Sequence, residues 1–333
     1  MIHAYAALEA GGKLQPFEYD PGELRHNDVE IDVDFCGICH SDVSMIDNEW
    51  GIAQFPLVPG HEIVGTVLTR GSSVTNLEVG DKVGVGWHAG YCMTCSNCMD
   101  GDHNMCANAE STIIGHHGGF ADKIHAQAAS VVKLPEGLDL AGAGPLLCGG
   151  ITVFNPLIQF GIKPTDNVAV IGIGGLGHMA LQFLNAWGCQ VTAFTSSEGK
   201  TEEALEMGAH RTINSRDPEA LETAAGQFDL VISTVNVKLD WNKYIQTLKT
   251  RGRLHLVGAT LEPLDLQLFP MLMGQRSVSS SPVGSPANIA RMLDFAARHD
   301  IKPVIEKFRF DQVNEALTRL RSGQARYRVV LTR

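Results

Sequence analysis

Apolar and polar residues alternate along Val29-Glu30-Ile31-Asp32-Val33-Asp34-Phe35, a period of two that predicts a strand with one buried face. Further strand-like runs follow at Ile63-Val64-Gly65-Thr66-Val67-Leu68, Lys82-Val83-Gly84-Val85 and Ser130-Val131-Val132-Lys133-Leu134. Gly11-Gly12 and Pro21-Gly22 read as turns. Up to roughly residue 145 the chain therefore predicts a β-rich, barrel-like unit with long loops.

Near residue 150 the pattern changes. Asn167-Val168-Ala169-Val170-Ile171 is a short apolar strand, and Gly172-Ile173-Gly174-Gly175-Leu176-Gly177-His178 follows it. A helix with apolar Met179, Leu181, Phe183 and Leu184 comes next, then the strand Gln190-Val191-Thr192-Ala193-Phe194. Strand-like runs recur at Phe228–Ser233 and Arg253–Gly258, an alternation that implies a parallel sheet with helices on both faces. After Pro282 a helical spacing of Ile289, Met292, Leu293 and Ala296 leads to a last strand at Arg326–Leu331. That tail is too short for a separate domain and is expected to rejoin the first unit. The expected limits are 1–147 and 148–284, with 285–333 returning.

At 333 residues the chain exceeds what one core usually fills, which agrees with two domains. A formal charge of −11 and the lack of a Lys/Arg block argue against nucleic acid as a partner. No stretch reaches the roughly 18–20 unbroken apolar residues of a membrane span, so no membrane is expected. The start MIHAYAALEAGGK lacks the features of a signal peptide, and the expected location is the cytoplasm. In a reducing compartment eight cysteines point to metal or catalysis rather than disulfides. Cys36 and Cys189 read as buried thiols.

Cys92-x2-Cys95-x2-Cys98-x7-Cys106 brings four thiolates together over fifteen residues. Such a set can close a tetrahedral zinc shell with no position left for substrate. An iron–sulfur cluster uses the same ligands, but nothing nearby suggests electron transfer. Structural zinc is the expectation. Gly37-Ile38-Cys39-His40-Ser41-Asp42 places a soft ligand, an imidazole, a hydroxyl and a carboxylate in succession. Cys39, His61 and Cys148 form a candidate open zinc site, with Glu62 behind the metal and Asp42 accepting the second ring N–H of His61.

The glycine loop follows a strand and opens a helix, the context a dinucleotide fingerprint requires. Gly172 permits the turn, Gly174 the approach of a pyrophosphate and Gly177 close helix packing; Gly175 and Leu176 complete the loop. The strand after that helix ends in Thr195-Ser196-Ser197, with Lys200 beyond, where an NAD site usually carries a carboxylate. Hydroxyls and an ammonium suit a 2′-phosphate, so NADP(H) is expected; Glu198 is the dissenting charge.

The strings GICHSD (37–42), PGHEIVGTV (59–67), VGVGW (83–87), the four-cysteine loop, GGFADK (118–123), LLCGGITVFNPL (146–157), GIGGLG (172–177) and RYRVV (326–330) run in an order that resembles the zinc-containing medium-chain dehydrogenase/reductases, and among them the cinnamyl alcohol dehydrogenase-like branch. The resemblance covers nearly the whole chain. It implies an α/β protein in which a GroES-like β-rich catalytic domain is interrupted by a Rossmann domain. It also implies two zinc ions per chain, catalytic zinc on Cys39, His61 and Cys148 with Glu62 adjacent, and structural zinc on the four-cysteine loop. His40 and Arg328 match residues at the cofactor pyrophosphate, Thr152 one at the nicotinamide, and Ser196, Ser197 and Lys200 the NADP phosphate pocket. Ser41 matches the hydroxyl that takes the substrate proton, and Trp50, Trp87 and Phe120 fall at the substrate pocket. A homodimer or tetramer through the Rossmann sheet is implied as well.

The implied reaction is reversible hydride transfer between NADPH and an aldehyde, giving a primary alcohol. Rival readings are an NAD-dependent polyol or secondary-alcohol dehydrogenase, a zinc-free quinone or enone reductase, and a non-catalytic zinc- and dinucleotide-binding protein. One departure stands out: much of this branch has histidine three residues after the relay hydroxyl, and here that residue is Ser44. Serine has no pKa near neutrality, so the proton is expected to leave through the nicotinamide ribose hydroxyl and water.

Overall fold

The computed structural model describes residues 1–196 and 198–333. The chain forms two compact units, Met1–Ile151 with Val283–Arg333, and Thr152–Pro282. The first unit extends past the expected limit of 147 because the turn carrying Cys148 packs within it. Leu147 lies over Gly84, where an added Cβ would stand 2.6 Å from the Leu147 side chain. The return begins at Val283 rather than 285.

In the first unit the strand Asp28–Ile38 is the hub. It pairs antiparallel with Glu62–Arg70 on one side, and on the other with Lys123–Gln127 near its start and Arg328–Thr332 near its end. Gly37 therefore stands opposite both Glu62 and Val330. Lys82–Val85 and Val131–Lys133 extend the sheet beyond Glu62–Arg70, and Ile305–Arg309 extends it beyond Arg328–Thr332. Val29, Ile31 and Val33 are fully buried, as the alternation requires. Past Val33 the pairing register shifts, which leaves Phe35 half-buried and puts Cys36 in the core.

The second unit is a six-stranded parallel sheet in the order Arg211–Asn214, Gln190–Thr195, Asn167–Ile171, Phe228–Ser233, Leu248–Leu256, Ser277–Ser280. By chain position that is 3-2-1-4-5-6, the doubly wound arrangement that binds dinucleotides where the order reverses. The helix Gly177–Trp187 buries Met179, Leu181, Phe183 and Leu184 and ends at Gly188, whose φ is +101°.

The twenty-residue helical run Leu140–Gln159 is apolar enough by length and composition to cross a membrane, yet Thr152, Asn155 and Gln159 interrupt it and the expectation of no unbroken apolar span stands. Of its most apolar 18-residue window, 89% is buried inside the protein, so that apolar surface is core.

Candidate metal centre and cofactor loop

Four donors converge in the first unit: Cys39, His61, Glu62 and Cys148, all buried, with ligand atoms within 4.8 Å of one another. Cys39 follows the hub strand and caps the helix His40–Ile46; His61 immediately precedes the neighbouring strand, which Glu62 opens; Cys148 sits in a π-helical turn, Leu146–Gly150. Such turns are frequent at functional sites.

Asp42 organises the set. Its Oδ2 accepts the Cys39 N–H at 2.8 Å, and its Oδ1 accepts the Gly60 N–H and His61 Nδ1, both at 2.9 Å. That fixes the His61 ring and leaves Nε2, 3.2 Å from Cys148 Sγ, as the ligand atom. Gly60 is held at φ +99°, and a Cβ there would stand 2.5 Å from the Phe120 ring. The Phe120 ring is fully buried in the core beneath Gly60, a packing position rather than the pocket wall expected of it.

The four donors are electrostatically coupled. The Cys39 thiol is held well below its ordinary pKa by the Cys148 hydrogen bond first and by His61, whereas sharing that bond raises Cys148. Burial lowers His61, but Asp42 and Cys39 outweigh it and raise it overall. Burial raises Glu62 against the pull of Arg328. Arg328 is buried and donates through Nη2 to Glu62 Oε1 and to the Ile38 carbonyl at 3.4 Å. Glu62 Oε2 has no partner among the described residues. Two sulfurs, one imidazole and a spare carboxylate oxygen fit zinc in type and number.

Ser41 is half-buried, its Oγ 3.8 Å from Cys39 Sγ, and His40 is exposed at the helix start. Trp87 meets the His61 ring edge-on at 5.0 Å, and Trp50 meets Trp87 at 6.1 Å. Ser44 is buried and donates to Glu49 Oε2 at 2.7 Å. Sequence reasoning missed both the Glu62–Arg328 pair and the reason for Gly37, where a Cβ would stand 2.0 Å from Glu62 Oε2.

Cys92, Cys95, Cys98 and Cys106 form a second four-donor cluster, with Sγ–Sγ distances of 3.5 Å for Cys92–Cys106 and 3.9 Å for Cys92–Cys98. Backbone N–H groups of Thr94 and Cys95 hold the Cys92 thiol down to about 6. Four sulfurs with almost no core around them suit a closed zinc shell.

In the second unit, Gly172 adopts φ +86°, and a Cβ on Gly177 would stand 1.9 Å from the Gly172 carbonyl. A Cβ on Gly174 would meet nothing within 4 Å, so the loop keeps open space where a pyrophosphate needs it. Thr234 Oγ1 donates to the Ile171 and Gly172 carbonyls, and His178 Nδ1 lies 3.0 Å from the Gly174 carbonyl. Lys200 Nζ donates to the Ile173 carbonyl at 2.9 Å, which draws its ammonium onto the loop. Ser196 is exposed, Thr152 is buried, and Ser197 lies outside the described residues.

Two family models match the chain: the alcohol dehydrogenase GroES-like domain over residues 25–136, and the zinc-binding dehydrogenase over residues 175–298. The chain belongs to the zinc-containing medium-chain dehydrogenase/reductases, in their cinnamyl alcohol dehydrogenase-like branch. It is 68% identical to the aldehyde reductase AdhA of Synechocystis sp. over 332 residues, covering 100% of this chain and 99% of the relative. A solved cinnamyl alcohol dehydrogenase of Sorghum bicolor superposes with a TM-score of 0.95 at 40% identity, covering 99% and 97% of the two chains. The Helicobacter pylori enzyme solved with NADP(H) gives 0.91 at 30%, again over 99% and 97%. The activity is that of an alcohol dehydrogenase and aldehyde reductase, acting on small-molecule alcohols and aldehydes with zinc and a nicotinamide cofactor.

Proposed function

We propose that this enzyme reduces aromatic or medium-chain aldehydes to primary alcohols with NADPH, using one catalytic and one structural zinc per chain. The observation that carries the reading is the buried convergence of Cys39, His61, Glu62 and Cys148 around a ring fixed by Asp42. Zinc held there supplies a Lewis acid for the carbonyl oxygen. Asp42 keeps His61 in one tautomer, and Arg328 donates to Glu62 behind the ligands. Ser41 Oγ hands the proton to the product oxygen. Trp87, edge-on to His61, and Trp50, edge-on to Trp87, give the site an aromatic wall.

Lys200 on the glycine loop, with Ser196 and Ser197, supports NADP(H) over NAD(H), as does the NADP(H) complex of the Helicobacter pylori relative. His40, Thr152 and Arg328 are the other residues assigned to the cofactor. Cys92, Cys95, Cys98 and Cys106 hold the structural ion. The working unit is a homodimer in the cytoplasm. Its interface is the edge strand Ser277–Ser280 with the preceding helix Leu268–Gly274, whose Leu268 and Phe269 are 72% and 73% exposed.

Initial rates with cinnamaldehyde, measured with NADPH and NADH before and after chelation, test the reading. A large NADPH preference that chelation abolishes is expected. An NADH preference refutes the roles of Ser196, Ser197 and Lys200, and turnover that survives complete zinc removal refutes the metal site.

A further inference from the structure

At the amino ends of the Rossmann strands is a pocket of about 440 Å³ lined by Asn167, Gln190, Thr192, Arg211, Gln227 and Lys249. Asn167, Gln190 and Arg211 each open a strand, whereas the glycine loop follows the other end of Asn167–Ile171. Pocket and cofactor loop are thus at opposite ends of one sheet, and the activity described above makes no use of the pocket.

Arg211 is exposed but tied down by three contacts. Its Nε donates to Thr192 Oγ1 at 2.9 Å, its Nη2 to Gln227 Oε1 at 2.5 Å, and its guanidinium lies 5.7 Å from the centre of the Phe228 ring. Thr192 is fully buried, which anchors the arrangement to the sheet. None of these partners is a carboxylate. Across the pocket Lys249 Nζ lies 2.6 Å from Asp229 Oδ2, which also accepts the Asn167 N–H at 2.8 Å. The charged residues lining the pocket are Arg211 and Lys249; Asp229 pairs with Lys249, and the hydrogen bonds of Arg211 go to neutral acceptors. A guanidinium fixed by neutral acceptors keeps N–H donors free for a planar or tetrahedral oxyanion.

We infer that this pocket binds a small oxyanion, the phosphate or carboxylate group of a metabolite, on Arg211 with help from Lys249. The assignment holds whichever nicotinamide cofactor the enzyme uses. The test uses the zinc-loaded enzyme saturated with its dinucleotide, so that the glycine loop is filled. Inorganic phosphate and acetate are titrated separately by calorimetry, against potassium chloride at equal ionic strength. Saturable binding of at least one anion is expected, and the tighter arm names the group. Arg211→Gln should weaken it about tenfold or more, the loss of a charge-assisted hydrogen bond, while aldehyde reduction stays unchanged. Lys249→Gln should weaken it as well, and carries the test if Arg211→Gln fails to fold. A response that potassium chloride reproduces, or equal binding by wild type and the folded variants, overturns the assignment.

Discussion

Arg328 donates to Glu62 across two strands that flank the same hub, and both side chains are buried. The pair puts a compensated charge directly behind the metal ligands, and Gly37 makes room for it. Removing one partner of a buried pair strands the other charge, at a cost of about 3–5 kcal/mol. Arg328→Leu should therefore lower the unfolding midpoint sharply, and adding Glu62→Gln should recover part of the loss. Thermal unfolding of the two variants checks this; an Arg328→Leu protein as stable as wild type would show that the pair is dispensable.

Two glycines of the cofactor loop should fail differently. A Cβ on Gly177 meets the Gly172 carbonyl at 1.9 Å, so Gly177→Ala must displace backbone and should cost roughly 1–3 kcal/mol of stability. Gly174 faces open space, so Gly174→Ala should keep the wild-type midpoint yet raise the KM for the dinucleotide about tenfold or more. Equal cofactor KM for Gly174→Ala and wild type would mean that the pyrophosphate does not approach that position.

The sequence was most legible where the signal is local. Asn167–Ile171 and Phe228–Ser233 have the limits expected of them, because strands buried on both faces read as apolar runs with abrupt polar ends. The four-cysteine loop was visible from spacing alone. What stayed hidden depends on pairing. Glu62 and Arg328 are 266 residues apart, and no pattern within either strand announces the partner. The register shift beyond Val33 inverts the alternation at Phe35, and periodicity cannot foresee a bulge. Arg211–Asn214 is an edge strand with polar residues at both ends, so it carried no strand signal. For Cys39, His61 and Cys148 the grouping came from family resemblance, since spacing could not join His61 to a cysteine 87 residues away.

His255 gives the Rossmann unit a defined sensitivity to acid. It is fully buried, Nδ1 lies 2.9 Å from Ser279 Oγ and Nε2 3.1 Å from Ser281 Oγ. Burial first, and Arg253 second, push its pKa down to about 4. The folded pKa is below the unfolded value of about 6.5, so the unfolded chain binds the proton first. Above pH 6.5 the group has no effect; from 6.5 down to about 4 it progressively destabilises the fold. Unfolding midpoints of wild type should therefore fall more steeply between pH 7 and 5 than those of His255→Gln. Parallel curves for the two proteins would rule this out, and zinc loss in acid, common to both, cannot mimic the difference.

Ser44 stands where much of the branch carries histidine, and its surroundings decide what restoring that residue does. The hydroxyl is buried but donates to Glu49, an exposed residue, so the position already connects the interior to the surface. An imidazole placed there would share the Glu49 carboxylate and could pass a proton outward, which serine cannot do near neutral pH. Crowding should cost about 1–3 kcal/mol of stability. In alcohol oxidation, Ser44→His should nevertheless raise turnover several-fold at low pH, where hydroxide is scarce, short of the ~10²-fold of a full general base. The comparison is the pH–rate profile of the two enzymes with one alcohol. An unchanged profile would overturn the idea that the missing histidine at residue 44 sets the route of the proton.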